Sequence, residues 1–435
     1  MPGKLATRHP LRQVKHTLRT LSEKHMERHR PTGREFAFAD RVDYLNAAAW
    51  DQVTQGGSLF LRREVLRVLE QHGPDNVAPR YAMIYREETP VAAVAAQVVA
   101  ITGQQFHREN GSEPLPPRSR NLLKRALTPA AKIAAARINE RLLVTGNLMS
   151  WGFNGIALAP QENPEALWPA IAEALYRIRR AERLAGQTNF VMVKDVPDTT
   201  GGLEAIRRFS YRPLETEPNM VLSLNPHWRN YDDYLSALDA KYRRNARDQL
   251  KKLTAAGCVI ESLTDLKPHT RRLHELYMAV HQNASVRLVT LPETYLPSLA
   301  TTLGDQFRCN IVRRGEEILG FVTSLRDGPT AIAYYIGFDR AAAAAGLPIY
   351  LRLLHSTIGD AMAWGCTRLS LGRTALEPKA ALGAKPETLN VWLRHRVPVF
   401  NWLLRGVMGS VTHDEAPERN PFKLAVEGSV PPAGV

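Results

Sequence analysis

The spacing of apolar residues along this chain changes period repeatedly, and each change marks an element. Residues 81–85 and 91–101 are rich in Val, Ala and Tyr and flank the polar stretch 86–90, which predicts strand, tight turn, strand. Residues 142–158 are apolar and interrupted by Gly, giving a further strand. Over 165–185 the period becomes helical, with Leu167, Ile171, Ala174, Leu175 and Ile178 on one face and Gly186 as the stop. A strand at 190–196, a short helix at 203–209 and a closing strand at 220–224 complete this half.

The same order returns after Pro226. A helix is predicted over 231–256, a strand over 259–263, and helices over 266–281 and 292–303. Residues 307–312, 318–325 and 330–337 read as a three-strand meander with a turn at 313–317. A helix over 347–364 carries Leu347, Leu351, Leu354 and Ile358 on one face and stops at Gly365, and a strand follows at 369–371. Superposing the halves aligns Glu87-Glu88 with Glu316-Glu317, Gly152-Phe153 with Gly337-Phe338, and Gly186 with Gly365. The offset falls from 229 to 185 between the first two matches, so the first half holds about 44 extra residues after its hairpin.

Charge divides the chain further. The net charge is +14 over 435 residues. Residues 1–34 carry nine Lys/Arg and two Glu (+7), residues 117–141 seven and one Glu (+6), and residues 241–252 six and one Asp (+5). The remainder is net −4, a mildly acidic body bearing three basic segments. The first has Leu11, Val14, Leu18 and Leu21 as one stripe on a basic helix, suited to an anionic membrane or another polyanion, or to folding back on the acidic body. The second is the insertion, where residues 121–138 alternate apolar and cationic positions as a lid, a surface helix or a packed helical pair would. Phe400 to Met408 is an apolar, Trp-containing stretch after Arg394, His395 and Arg396, which fits an interfacial contact or the core of the second half.

The composition is that of a globular enzyme: 44% hydrophobic, 23% charged, mean hydropathy −0.27. No run of 18 apolar residues and no secretory leader is present in the sequence given, so a cytoplasmic protein, with a peripheral membrane contact as a further option, is expected. Cys258, Cys309 and Cys366 stand 51 and 57 residues apart without a CxxC or His pattern, so neither a disulfide framework nor a metal site is expected. The expected organisation is a basic arm (1–34), a first domain (35–225, insertion about 105–141), a second domain (229–412) and a tail (413–435).

Meander, loop, Gly-stopped helix and strand, occurring twice, resemble the tandem GNAT (Gcn5-related N-acetyltransferase) architecture of Fem-type aminoacyltransferases and their bacterial acetyltransferase-like relatives. The basic helix from Tyr231, the segment Ile336-Gly337-Phe338-Asp339-Arg340, Gly346-Leu347-Pro348, and Leu371-Gly372-Arg373-Thr374 with Lys379 and Gly383 carry the resemblance over about 229–395. It implies an α/β (α+β) fold: two GNAT-like domains in tandem, each a mixed, mostly antiparallel sheet flanked by helices. The pyrophosphate loop of ordinary GNAT enzymes is absent, its place taken by Arg340, five alanines and Gly346.

The resemblance implies N-acyl transfer from an acyl thioester, acyl-CoA or carrier protein, to an amine such as an amino-lipid. The alternatives are a Fem-like transferase using aminoacyl-tRNA on a cell-envelope precursor, and a non-catalytic binder of nucleic acid or anionic membrane. Acyl transfer needs a neutral amine, a stabilised oxyanion and a protonated leaving group. The backbone near Tyr335 to Phe338 is the expected oxyanion site and Asp339 a proton acceptor, or else a turn residue. Tyr334, Tyr335 and Tyr350 are candidates for protonating the leaving group, with His281 and His355 as further candidates. Arg340, Ala345, Gly346 and Leu347, where the loop feeds a helix N-terminus, would hold an anionic donor. Arg373 and Lys379 would hold an anionic group, or pair with Glu377.

Overall fold

A computed structural model describes residues 26, 30–102, 139–284, 287–397, 401, 417 and 419–423. The Leu11 to Leu21 stripe, the insertion segment 121–138 and Phe400, with Trp402 to Met408, lie outside them.

The first half runs β1 (Glu35–Ala39), α1 (Ala47–Thr54), α2 (Arg63–His72), β2 (Val77–Arg86), β3 (Thr89–Thr102), β4 (Asn139–Thr145), β5 (Ile156–Leu158), α3 (Pro164–Ala181), β6 (Thr188–Pro197), a 3-10 helix (Leu203–Phe209), β7 (Arg212–Glu215) and β8 (Asn219–Ser223). The second runs α4 (Tyr231–Ala237), α5 (Ala240–Ala255), β9 (Cys258–Leu263), α6 (Thr270–His281), α7 (Tyr295–Leu303), β10 (Phe307–Arg314), β11 (Glu317–Asp327), β12 (Thr330–Phe338), α8 (Arg340–Ala344), α9 (Ile349–Ala363), β13 (Arg368–Ser370), α10 (Leu376–Ala381), β14 (Lys385–Glu387) and β15 (Leu389–His395).

The β2–β3 hairpin turns at Glu87 and Glu88, both at positive φ, as a two-residue turn matched to strand twist requires. The single helix expected over 231–256 is broken. Leu238 is extended and forms a bridge with Phe422, while the Asp239 N–H donates to the Pro421 carbonyl at 2.8 Å, so the returning chain end takes the place of a helical turn.

Two sheets result, in the orders β1-β2-β3-β4-β6-β15-β7 and β9-β10-β11-β12-β13-β8-β14, with β5 paired to β3. Each has one parallel pair, β4 with β6 and β12 with β13, and the rest are antiparallel. Position by position the two orders correspond, with one exchange: β15, from the end of the second half, lies between β6 and β7, and β8 lies between β13 and β14. The strand expected at 220–224 to close the first repeat therefore closes the second. Val391 and Trp392 of β15 are buried, Trp392 in the core that Leu167, Trp168 and Ile171 of α3 share with β3 and β6.

The corresponding strands also deviate at the same point. In β12, Tyr334 and Tyr335 together face Thr323, a bulge. In the first half the strand leaves the sheet at Gly146 and resumes as β5. Ala95 bonds both ends: its N–H donates to the Gly155 carbonyl (2.8 Å) and its carbonyl accepts from the Gly146 N–H (3.0 Å). The neck of this excursion is so narrow that a Cβ on Gly155 would lie 2.2 Å from the Gly146 nitrogen. A second core joins the halves: Phe60, Val65, Val68, Leu69 and Met149 pack with Leu273, Leu276 and Tyr277 of α6 and Leu296 and Leu299 of α7.

Trp392→Ala removes a buried indole from a strand lent across the molecule. It should cost about 3–5 kcal/mol in urea unfolding and raise amide exchange in β6 and β7, far away in sequence. Unchanged exchange there would show that β15 does not hold the first sheet together.

Candidate active site

Strand β13 pairs with β12 only from Thr330 to Ile332, after which the two part at the Tyr334–Tyr335 bulge. The Tyr335 N–H donates to the Thr323 hydroxyl at 3.0 Å, which donates back to the Tyr335 carbonyl at 3.3 Å. The excursion from the first half lines this gap. The Trp151 indole N–H donates to Ser370 Oγ (2.8 Å), the end residue of β13, its ring lies 6.3 Å from that of Tyr334, and the Tyr335 hydroxyl donates to the Met149 carbonyl (2.9 Å). Asn219 Oδ1 accepts from Ser370 Oγ (2.9 Å) and the Gly372 N–H (3.2 Å), fixing the backbone beyond β13.

Two buried charges, Lys194 and Asp195, and the half-buried Arg373 hold the seam. Lys194 and Asp195 end the apolar run of β6, with Asp195 in the left-handed region at φ 57°. Lys194 Nζ donates to the carbonyls of Asn147 (3.1 Å) and Ser150 (2.8 Å) and pairs with Asp195 Oδ2 (2.8 Å), which also accepts from the Gly152 N–H (3.0 Å). Asp195 Oδ1 accepts from the Arg373 guanidinium, which arrives from the second half. Burial alone would raise the Asp195 pKa, but the Lys194 and Arg373 charges more than offset it and hold the carboxyl below its ordinary range. Arg373 Nε is buried without a hydrogen-bond partner among the described residues.

The candidate residues from the sequence separate. Asp339 follows β12 and caps the short α8, accepting from the Ala342 N–H (2.9 Å), with Arg272 at 3.7 Å. Tyr335 and His281 contact the same ring, Tyr277, on the α6 side, and His281 bonds Thr290 (3.0 Å). Burial, with Arg287 and His274 nearby, lowers the His281 pKa to about 4. Tyr334 is buried and bonds the Tyr295 hydroxyl (3.1 Å). Tyr350 lies in the first turn of α9, its ring 5.9 Å from Phe338, with no hydrogen bond on its hydroxyl among the described residues and a pKa pushed up to about 12 by burial. Arg340 bonds Asn283 (2.5 Å), while Ala345, Gly346 (φ 92°) and Leu347 form the loop into α9, the first two exposed. His355 bonds the Tyr231 hydroxyl (2.7 Å), and burial lowers its pKa to about 3.

Lys379 is 3% exposed on α10, and its ammonium donates no hydrogen bond and forms no ion pair among the described residues. Burial lowers its pKa to about 7, with Glu217 partly opposing the shift. Glu377 pairs with Arg419 rather than with Arg373 or Lys379. Tyr350 packs on the same core cluster as Leu376 and Ala380 of α10, so Tyr350 and α10 share one face of the second sheet. Among the described residues no metal-binding group of His, Cys, Asp and Glu occurs, and no helix is long and apolar enough to cross a membrane.

Sequence reasoning passed over Lys194, Asp195 and Trp151. The available signal was an adjacent Lys-Asp pair closing an otherwise apolar strand, a pattern that is costly unless the charges are paired.

The family model of the acetyltransferase (GNAT) domain matches residues 240–380, the stretch holding the parted strands, α9 and Lys379. No curated protein matches the chain. Among solved structures, FemX aligns at 10% identity over 86% of this chain and 100% of its own, with a TM-score of 0.51. A tandem GNAT protein from the clavulanic acid biosynthesis pathway aligns at 11% over 84% and 99% (TM-score 0.48), and L-PGS from Bacillus licheniformis at 11% over 79% and 96% (TM-score 0.40). The matched domain and the two corresponding sheets define the class by fold: residues 240–380 match a GNAT acetyltransferase domain, and the chain has a tandem GNAT-like fold similar to that of FemX.

The depressed Asp195 pKa sets the sign of a pH effect. Its stabilisation is complete above the unfolded value of 3.8 and is lost as pH falls through the lower folded value. Asp195→Asn should therefore lose about 3–5 kcal/mol at pH 7, because Lys194 and Arg373 are left without their buried partner, and the deficit should shrink toward pH 3. Urea unfolding at both pH values measures it, and a deficit independent of pH would deny that the carboxylate charge holds the seam.

Proposed function

We propose that this enzyme transfers an acyl group from an acyl thioester, acyl-CoA or acyl carrier protein, to an amine, with the second half as the catalytic half. The observation that carries the reading is Lys379: a buried side chain whose amine makes no hydrogen bond among the described residues, with a pKa near 7, on the helix leaving the strand that parts from β12. The thioester carbonyl would lie against the backbone of β12 beside the bulge, where N–H donors could receive its oxyanion. Arg340 and the Ala345-Gly346-Leu347 loop at the start of α9 would take the anionic part of the donor, favoured by the helix dipole. Arg373, held by Asp195, would take an anionic group of the acceptor.

The amine nitrogen attacks the carbonyl carbon, a C–N bond forms and the C–S bond breaks. Neutral Lys379 takes the proton that the amine loses. Tyr350, kept protonated and with no hydrogen-bond partner among the described residues, gives its proton to the departing thiolate. Asp339 and His281 are already engaged and serve better as supports of the loop and of α6.

A second reading rests on α5. Its exposed Lys241, Arg244, Arg247, Lys251 and Lys252 make no ion pair among the described residues, a cationic face that would suit the phosphates of an aminoacyl-tRNA donor.

Thiol release from a panel of acyl-CoA donors and amine acceptors tests the first reading. The rate should rise with pH through about 7 and level above it, because Lys379 acts only when neutral. Lys379→Met should lower kcat at least about a hundredfold in a folded enzyme. A rate that falls through pH 7 would make Lys379 an anion ligand and overturn its role as base. Turnover of aminoacyl-tRNA without any thiol release would replace the first reading with the second.

A further inference from the structure

On the outer face of the first half, away from the seam, Arg30, Arg177, Arg180 and Arg394 converge on one groove with Tyr176, Pro169, Ala172 and Phe209. They come from three parts of the chain: the segment leading into β1, helix α3, and the exchanged strand β15. The carboxylate in the groove, Glu173, is fully committed. Its Oε2 accepts from the Thr32 N–H (2.8 Å) and hydroxyl (2.6 Å), and its Oε1 is held by Arg177 Nη2 (2.7 Å). Arg177 is thereby neutralised. Arg30, Arg180 and Arg394 make no ion pair among the described residues.

Arg179 and Arg396 add further positive charge close to Arg394. Arg179 lies against the Tyr176 ring at 5.4 Å, and Arg394 packs on the Tyr211 ring at 6.0 Å. Burial and the nearby Arg394 and Arg396 charges push the Arg179 pKa down, the mark of guanidinium groups crowded without a counter-anion. Guanidinium stays ionised at any working pH, so this repulsion is relieved by an anion and not by loss of a proton.

We infer that this groove binds a phosphate ester, with Arg180 and Arg394 forking the phosphate oxygens, Arg30 closing over them, and the apolar part of the ligand lying on Phe209 and Pro169. Planar forks on converging arginines favour a tetrahedral oxyanion over a single carboxylate. The groove is distant in fold from the Lys379 site, so this inference is independent of the acyl-transfer reading.

Calorimetry of the full chain with glycerol 3-phosphate forms one arm of the test, and sedimentation with phosphatidylglycerol–phosphatidylcholine vesicles forms the other. Binding in the first arm assigns a soluble phosphate ester, and binding in the vesicle arm alone assigns a lipid headgroup. In the arm that binds, Arg180→Ala and Arg394→Ala should each weaken affinity about tenfold with an unchanged circular dichroism spectrum. Arg183→Ala, a turn away and outside the groove, should change it less than about twofold. No binding in either arm, or equal loss in the Arg183 variant, overturns the proposal.

Discussion

The exchange of closing strands between the two halves is the constraint on which the rest of the molecule depends. Strand β15 fills the place between β6 and β7, and β8 the place between β13 and β14, so neither sheet is complete from its own half of the chain. A missing inner strand leaves backbone donors and acceptors unpaired on two neighbours, and buried unpaired groups cost far more than exposed ones. The halves are thereby tied at a fixed relative position. Without that tie, the first-half excursion could not be held against the gap between β12 and β13.

At the seam the same logic extends to charge. A buried carboxylate with one cationic partner is at best neutral for stability, because both ions lose water. Asp195 escapes this by taking two cations and a backbone N–H, while Lys194 also donates to two loop carbonyls. Lys194 and Gly152 belong to the first half and Arg373 to the second, so one carboxylate sets the excursion, the end of β6 and the segment after β13 together. Trp151 then stands beside Ser370, and the half-buried Arg373 guanidinium is fixed by Asp195. Lys379 is the reverse case: a buried cation with no hydrogen-bonded or ion-paired partner among the described residues, whose cheapest state near neutral pH is partly the free amine.

Much of this was legible in the sequence. The apolar periods located α3, α6, α9 and the β10–β12 meander. The superposed turns revealed the repeat, and Gly365 at φ 65° marks the end of α9 as expected. Gly337 was quoted only as part of a motif. Its reason is spatial: a Cβ there would lie 2.5 Å from the Tyr277 nitrogen, so its absence lets α6 cross β12. The division of the candidate residues was not legible. Tyr335 and Tyr350 are fifteen residues apart, yet strand, bulge and helix send their rings to opposite faces of one sheet.

Local pattern, then, determined what depends on neighbours in the chain: element type, helix stops, the doubled order of elements and the clustering of basic charge. Arg373, Glu377 and Lys379 all follow a strand end, and it was the resemblance to the GNAT family that raised Arg373 and Lys379 above the third. Only the tertiary structure decided which sheet β8 and β15 close, that Arg373 meets Asp195 across 178 positions, and that Lys379 is buried with no ion pair among the described residues. Strand pairing and the pKa of an amine depend on groups brought close by folding from anywhere in the chain, and periodicity carries no record of them.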